Sequence, residues 1–364
     1  MKKILIISAA ALVAMCACTK NEAIEGPQHE ITFSVAKYVG QTKADEEKVD
    51  PADYADDYAD VPFGTYAWFY GDEEGAKAQA FMEDETVSLT GDEWKPAVTY
   101  YWPKTGSIDF ISYSPKSISD YVTVTTDDIK IGDAKNVYEV EDGTTVDVMY
   151  ADKAVGCTEN VLTYFYKGVP TLFRHALAKI NINIKTAYGA KVITEGEDET
   201  EWKVTVKGLA LNDYLNAGYV EFPLATDGSW TLPEDKVWEN DGNQVSKDFD
   251  LPTDATINST EAKPFVSDYF VLPQELSAGQ TLDVIVDIET YLPNGNTIIE
   301  TGVKLTGVLG AQDVEAWEIN KITSYNITII PAASNEDGDP IEILFDPAVK
   351  DWEESDPATV TITE

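Results

Sequence analysis

The chain has 364 residues, of which 43% are hydrophobic, and a formal charge of −39 from 65 acidic and 26 basic side chains. One ordinary hydrophobic core does not grow to this size, so the length predicts two domains. The acidity excludes nucleic acid as a partner, because phosphate binding needs a basic surface.

The first residues have the pattern of a secretory signal peptide. Lys2 and Lys3 precede an apolar run, residues 4–13, that is shorter than the roughly 20 residues needed to cross a bilayer. A cysteine directly after the cleavage point is the lipid-modified first residue of a bacterial lipoprotein, and Cys18 fits this role better than Cys16. We therefore expect residues 1–17 to be removed and acyl chains on Cys18 to tether the exported protein. An ordinary signal peptide that contains cysteines is the alternative.

Alternation of apolar and polar residues, the pattern of half-buried strands, dominates the rest of the chain. The first such run carries Ile31, Phe33 and Val35 on one face. Turn sequences separate the runs, and residues 293–296 predict a hairpin. Many short strands with such turns predict an all-β fold of antiparallel sandwiches. The further predicted strands are residues 65–70, 98–102, 108–113, 121–125, 146–150, 177–185, 202–211, 219–222, 269–272, 282–291, 298–305 and 324–330.

Reactive side chains are few. The two histidines are His29 and His175, and neither lies in a zinc-binding or nucleophile motif, so we expect no enzymatic activity and no cofactor. A structural hydrogen bond is the expected role of His175. Residues 335–339 come nearest to a calcium loop, but their glycine is misplaced, and no metal site is predicted. Once Cys18 carries lipid, Cys157 has no partner for a disulfide.

A series of short segments makes the chain resemble the fimbrillin family of bacterial type V pili. Each segment alone is weakly specific, and their order along nearly the whole chain, as far as residues 317–329, carries the likeness. The segments are CTKNE (18–22), EITFS (30–34), QTKA (41–44), FGTYA (63–67), YYWP (100–103), GSIDF (106–110), DVMYA (147–151), FRHALAKI (173–180) and VLPQ (271–274).

The resemblance implies an architecture and a location. It implies two tandem antiparallel β-sandwich domains of transthyretin-like fold, with the lapse in strand pattern at residues 156–160 as their boundary. Residues 44–157 would form the N-terminal domain and residues 158–364 the C-terminal domain with its tail. The chain would be an outer-membrane lipoprotein, carrying acyl chains such as palmitate, and then a subunit of a cell-surface fimbria that serves adhesion or biofilm formation. Its partners would be identical or homologous pilin subunits.

The resemblance also implies an assembly mechanism. In the family, a trypsin-like protease specific for arginine or lysine cuts near the N-terminus, the first strand leaves, and a C-terminal strand of the next subunit fills the groove. By position the cut falls between Lys43 and Ala44, where lysine replaces the commoner arginine. Residues 18–43 would then be a removable segment that carries the strand with Ile31, Phe33 and Val35. The acidic stretch after Lys43 has the composition of an exposed linker, which proteases cut well.

The C-terminus supplies the alternating apolar residues that a donor strand needs. Ile341, Ile343 and Phe345 repeat the spacing of the first strand, and Val360 and Ile362 form a second short run. The alternative is that these runs simply form edge strands of their own domain. A stalk subunit is favoured over a tip subunit, since a tip needs no donor. The competing function is a membrane-tethered glycan-binding lipoprotein of the same fold, with exposed tryptophan and tyrosine side chains as sugar platforms.

Overall fold

The computed structural model describes residues 29–38, 49–50, 58–140, 146–159, 168–189, 191–193, 199–223, 238–240, 242–310, 314–330 and 342–351. Strands dominate these residues, which confirms the predicted all-β class. A short 3-10 helix spans Lys116–Tyr121. Among the residues described, no helix is long and apolar enough to cross a membrane.

The strands up to His175 are mostly short and rich in aromatic and β-branched residues, which suit a pleated, half-buried surface. In chain order they are β1 (Phe33–Tyr38), β2 (Val49–Asp50), β3 (Phe63–Tyr70), β4 (Gln79–Thr90), β5 (Glu93–Pro96), β6 (Ser107–Ser114), β7 (Val122–Val124), β8 (Asp128–Ile131), β9 (Tyr138–Glu139), β10 (Met149–Ala151), β11 (Ala154–Cys157) and β12 (Val169–His175).

The later strands include several of ten residues or more. In chain order they are β13 (Ala178–Thr186), β14 (Lys191–Ile193), β15 (Glu199–Leu215), β16 (Ala217–Pro223), β17 (Glu239–Asn240), β18 (Gln244–Asp248), β19 (Thr256–Ile257), β20 (Lys263–Val271), β21 (Gln274–Glu275), β22 (Thr281–Tyr291), β23 (Thr297–Val308), β24 (Ala316–Trp317), β25 (Lys321–Ile330) and β26 (Glu342–Asp351). The predicted hairpin joins β22 and β23, with Gly295 at φ +84° in its turn.

The first sheet closes on itself. Its strands follow the order β10-β12-β1-β5-β4-β3-β6-β11, and β6 also pairs with β10. Strand β1 lies inside this ring, parallel to β12 on one side and antiparallel to β5 and β2. Alternate side chains of the ring strands fill one core, to which Ile31, Phe63 and Phe110 contribute.

The later strands form a sandwich. The sheet β20-β13-β25-β26 packs on the sheet β14-β15-β22-β23, and both contribute to one core. Strand β13 shows the alternation clearly, since Ile180, Ile182 and Ile184 are fully buried whereas the residues between them are partly exposed. Strands β13 and β25 run parallel, from Lys179 opposite Ile322 to Thr186 opposite Ile329.

A fourth sheet joins the early and late parts of the chain. Strand β16 pairs with β8, β9 and β17, so Phe222 lies opposite Ile129 and Val220 opposite Ile131. These side chains share a core with Trp238, whose indole Nε1 donates a hydrogen bond to the Ala176 carbonyl oxygen at 2.8 Å. The two parts of the chain are therefore joined by a common sheet and a common core.

Two features differ from the sequence-based expectations. The pairings β1–β12 and β13–β25 are parallel, whereas antiparallel sheets were expected. Residues 98–102 were predicted to be a strand but form a loop, in which Tyr101 makes an isolated bridge to Glu30. The parallel pairings join segments that are far apart in the sequence, and such pairing leaves no local pattern in the residues. The domain boundary near residue 157 remains a prediction.

Candidate functional site: the first strand and its slot

The candidate site is the place that β1 occupies in the closed sheet. Its backbone pairs with β12 from Phe33 opposite Val169 to Lys37 opposite Phe173, and on the other side Phe33 lies opposite Trp94. The amide of Val169 donates to the Thr32 carbonyl oxygen at 2.8 Å. We call the space between β12 and β5 that β1 fills the β1 slot.

The predicted strand residues point into the core of this sheet. Ile31 is 1% exposed, Phe33 4% and Val35 3%. The Phe33 ring packs edge-on against Phe63 and Phe110, at centroid distances of 5.6 and 5.7 Å. Burial of each large apolar side chain is worth about 1.5–3 kcal/mol, so these residues hold β1 firmly in the slot.

A glycine allows β1 to approach the start of β12. A Cβ atom on Gly168 would lie 2.8 Å from the Thr32 carbonyl oxygen and 2.9 Å from the Phe33 carbonyl carbon. Both neighbours are backbone atoms of the N-terminal segment, which cannot move aside as the end of a flexible side chain could. Gly168 is therefore required for the close contact with β1. Sequence analysis did not identify this glycine, and only its place before a strand could have drawn attention to it.

A buried polar cluster fixes the chain beside the slot. His175, at the end of β12, places its Nδ1 2.8 Å and 3.0 Å from the two carboxylate oxygens of Asp147, and both side chains are 2% exposed. The Tyr58 hydroxyl donates to Asp147 Oδ2 at 2.5 Å. The predicted structural hydrogen bond of His175 is thus confirmed. The same cluster anchors the chain at Tyr58, which is fifteen residues after Lys43.

The C-terminal strand lies at a sheet edge. Among the described strands, β25 is the pairing partner of β26, with Phe345 opposite Ile327 and Ile343 opposite Ile329. An edge strand can leave by breaking one ladder of hydrogen bonds, whereas an inner strand must break two. Val349 of β26 is 46% exposed.

Several predicted site residues lie outside the described residues. They are the lipid-bearing Cys18, the cleavage pair Lys43 and Ala44, and the tail residues Ile341, Val360 and Ile362. These assignments remain predictions.

Other chemistry is sparse in the described part of the chain. No group of three or more His, Cys, Asp or Glu side chains there could hold a metal ion. His29 forms a surface contact with Glu159. Cys157 is buried in the first core, and burial together with the nearby Asp109 charge raises the pKa of its thiol to about 12.

The family assignment follows from a comparison with known proteins. A family model described as fimbrillin-like matches residues 58–352, most of the chain. This chain belongs to the fimbrillin-like family. The predicted resemblance is confirmed, and membership in this family supports a pilus-type structural subunit of a cell-surface appendage that assembles with other pilin subunits.

Solved structures similar to this fimbrillin-like chain include a fimbrial protein from Bacteroides vulgatus. It is 18% identical, the match covers 88% of this chain and 99% of that one, and the TM-score of 0.55 supports a shared fold. A candidate cell adhesion protein from Bacteroides ovatus is 17% identical over 91% and 100% of the two chains, with a TM-score of 0.46. The fimbrial anchor protein Mfa2 from Porphyromonas gingivalis is 14% identical over 89% and 98%, with a TM-score of 0.27. The curated proteins contain no match.

The aromatic residues of this fimbrillin-like chain mostly serve its cores. Among the described tryptophans none is exposed, and Trp238 and Trp317 are almost completely buried. The exposed tyrosines in the same residues are Tyr101, Tyr188 and Tyr291, each 37–42% exposed. The glycan-binding alternative would have to rely on these tyrosines, without a tryptophan platform in the described surface.

Proposed function

We propose that this fimbrillin-like protein is a stalk pilin that polymerises by strand exchange after residues 18–43 are removed. The observation that carries the proposal is the position of β1, which is an inner strand of a closed sheet. The segment from Ile31 to Val35 buries three apolar side chains there. Its departure would leave unpaired edges on β12 and β5 and an apolar slot, and both have to be covered again.

The tail of a neighbouring subunit has the chemistry to refill the β1 slot. Ile341, Ile343 and Phe345 repeat the spacing of the departing Ile31, Phe33 and Val35. In strand addition the main-chain hydrogen bonds supply affinity, and alternate side chains set the register. The edge position of β26 favours its release, because only the ladder with β25 has to break.

Cleavage between Lys43 and Ala44 would do two things at once. It would free β1 to leave, and it would separate the subunit from the lipid on Cys18 and hence from the outer membrane. The subunit would keep Tyr58, whose hydrogen bond to Asp147 anchors the new N-terminal segment to the folded body. The transthyretin-like description of the two halves and the roles in adhesion and biofilm formation belong to the same proposal.

The experiment is limited trypsin treatment of purified lipid-free protein. We expect a new N-terminus at Ala44, a heat-resistant ladder on a denaturing gel and fibres under negative stain. Lys43→Gln combined with Lys48→Gln, which removes the next lysine of the same linker, should remain uncut there and monomeric. Lys37→Gln is the matched control and should behave as wild type, because Lys37 lies within β1, opposite Phe173.

Two results would contradict the proposal. One is a ladder that forms equally well from the variant with both Lys43→Gln and Lys48→Gln, and the other is wild-type protein that is cut at Lys43 yet stays monomeric. Monomers that are retarded on polysaccharide gels would favour the glycan-binding lipoprotein instead.

A further inference from the structure

The hairpin between β22 and β23 ends in an exposed apolar surface, which we call the hairpin tip (residues 290–299). Tyr291 is 37% exposed, Ile298 42% and Ile299 63%. The segment reads TYLPNGNTII and contains no charged residue, although 25% of the chain is charged. An apolar, uncharged surface of this kind is typical of a contact with another molecule.

A second uncharged surface lies where β1 enters the sheet, and we call it the mouth loop (residues 97–103). Its sequence is AVTYYWP, with Val98 57% and Tyr101 42% exposed. It holds the start of the N-terminal segment, because the Ile31 amide donates to the Tyr100 carbonyl oxygen at 2.8 Å and the Trp102 amide donates to the His29 carbonyl oxygen at 3.1 Å.

The hairpin tip lies at the end of the sandwich from which the tail departs. Strand β25 ends and β26 begins at this end, with Ile330 opposite Glu342. The Ala187 amide donates to the Ile329 carbonyl oxygen at 2.9 Å. The chain then leads to Tyr188, which stacks on Trp202 at a centroid distance of 5.9 Å, and Trp202 pairs with Thr290 of the tip.

We propose that the hairpin tip of one subunit packs on the mouth loop of the next subunit in the fibre. The inference rests on the proposed strand exchange and adds a contact surface to it. A donated tail that enters the β1 slot in the same direction as β1 begins near Glu342. Its first residues then lie at the end of the slot where the mouth loop binds residues 29–31. In the donor subunit the hairpin tip lies at the same end of the sandwich as the start of the tail. Insertion of the tail therefore brings the hairpin tip of the donor to the mouth loop of the acceptor.

Charge explains why these two surfaces are suited to each other. Each clipped copy carries a formal charge of −41, since residues 1–43 take five lysines and three glutamates with them, so acidic faces that approach one another repel. The hairpin tip and the mouth loop can meet without bringing two carboxylates together. Two ion pairs border the surfaces, Lys203 with Glu289 at 2.7 Å beside the tip and Lys95 with Glu93 at 2.7 Å beside the mouth loop, and the exposed Glu300 directly follows the tip.

Cysteine crosslinking tests the contact. Protein carrying Tyr101→Cys and Ile299→Cys is clipped, polymerised, treated with a short bismaleimide and dissociated in denaturant. We expect covalent dimers and higher species. The control pair is Tyr101→Cys with Val308→Cys, since Val308 is 37% exposed at the opposite end of β23, and it should give monomers. Native Cys157 is buried in both variants.

The outcomes separate this inference from the function on which it rests. Fibres that form normally while the Tyr101/Ile299 pair stays unlinked, or while the control pair links equally well, would overturn the contact and leave strand exchange intact. Clipped wild-type protein that forms no fibres would overturn the strand exchange itself.

Elongation rates supply a second readout of the same contact. Ile299→Asp places a carboxylate in the hairpin tip and should slow elongation about five- to tenfold, as expected when an apolar anchor of an interface is lost. Val308→Asp adds the same charge at the other end of β23 and should leave the rate within about twofold of wild type. Equal rates for the two variants would contradict the proposed contact.

Discussion

At the scale of single residues, Phe33 is the side chain that holds β1 most firmly. Its ring is 4% exposed and packs edge-on against Phe63 and Phe110. Phe33→Ala should lower the free energy of unfolding of the uncut protein by about 3–5 kcal/mol, the usual cost of removing a buried phenyl ring. Denaturant unfolding measures this change.

The same substitution should have no effect once residues 18–43 are gone, because Phe33 leaves with the removed segment. Ser34→Ala is the matched control in the uncut protein, since Ser34 is half-buried next to Phe33. A loss of stability that persists in purified clipped fibres would contradict the removal of β1.

The thiol of Cys157 reports on the state of the first core. Burial, reinforced by the Asp109 charge, raises its pKa to about 12. An ordinary thiol has a pKa of about 8.5 and reacts as the thiolate, so alkylation at pH 8 should be about a thousandfold slower than for a free cysteine. Because the pKa is raised, the reaction speeds up only as the pH rises toward 12 or as the core opens.

Iodoacetamide labelling followed by mass spectrometry measures this reaction. A chain that begins at Thr19 and lacks residues 339–364 has Cys157 as its single cysteine and has no tail to refill the slot. Labelling should accelerate sharply after trypsin removes β1. The form with both Lys43→Gln and Lys48→Gln, treated in the same way, is the control, and equal labelling of the two proteins would show that the core stays closed.

At the scale of elements, the sequence predicted the strands better than their partners. Alternation is a local property, so residues 31–35 and the hairpin at 293–296 were identified correctly. The parallel neighbour of β1 is β12, more than 130 residues further along the chain, and no local pattern reveals that pairing. The closeness of Gly168 to Thr32 and the Tyr58–Asp147 hydrogen bond are also long-range contacts, visible only in the folded chain.

The C-terminal strand can be tested as an element. Deletion of residues 339–364 removes β26, which lies at a sheet edge, so the remaining sheets should still fold. The truncated protein should be a stable monomer that accepts a tail from another subunit and cannot donate one. Added to growing wild-type fibres, it should cap them and shorten their mean length in electron micrographs. Truncated protein that polymerises normally by itself would place the donor strand elsewhere.

At the scale of the whole molecule, charge opposes assembly. Two clipped copies that each carry a formal charge of −41 repel one another, so apolar insertion must supply the driving force. Salt screens this repulsion over a Debye length that falls from roughly 10 Å at 0.1 M to roughly 3 Å at 1 M. Polymerisation of the clipped subunit, followed by light scattering, should therefore be faster at about 0.5 M salt than at about 0.05 M. Slower assembly at the higher salt concentration would indicate that attraction between charged groups drives the process.

Binding of a synthetic tail peptide tests the central claim most directly. The peptide comprises residues 339–364, and its acceptor is the chain that lacks those residues, prepared both uncut and clipped at Lys43. Calorimetry should show saturable one-to-one binding of the peptide to the clipped acceptor and no binding to the uncut one. Phe345→Ala in the peptide should weaken the affinity for the clipped acceptor at least tenfold, as expected for a buried aromatic anchor. Equal binding to both acceptors, or to neither, would contradict the account that the tail of one subunit replaces β1 of the next.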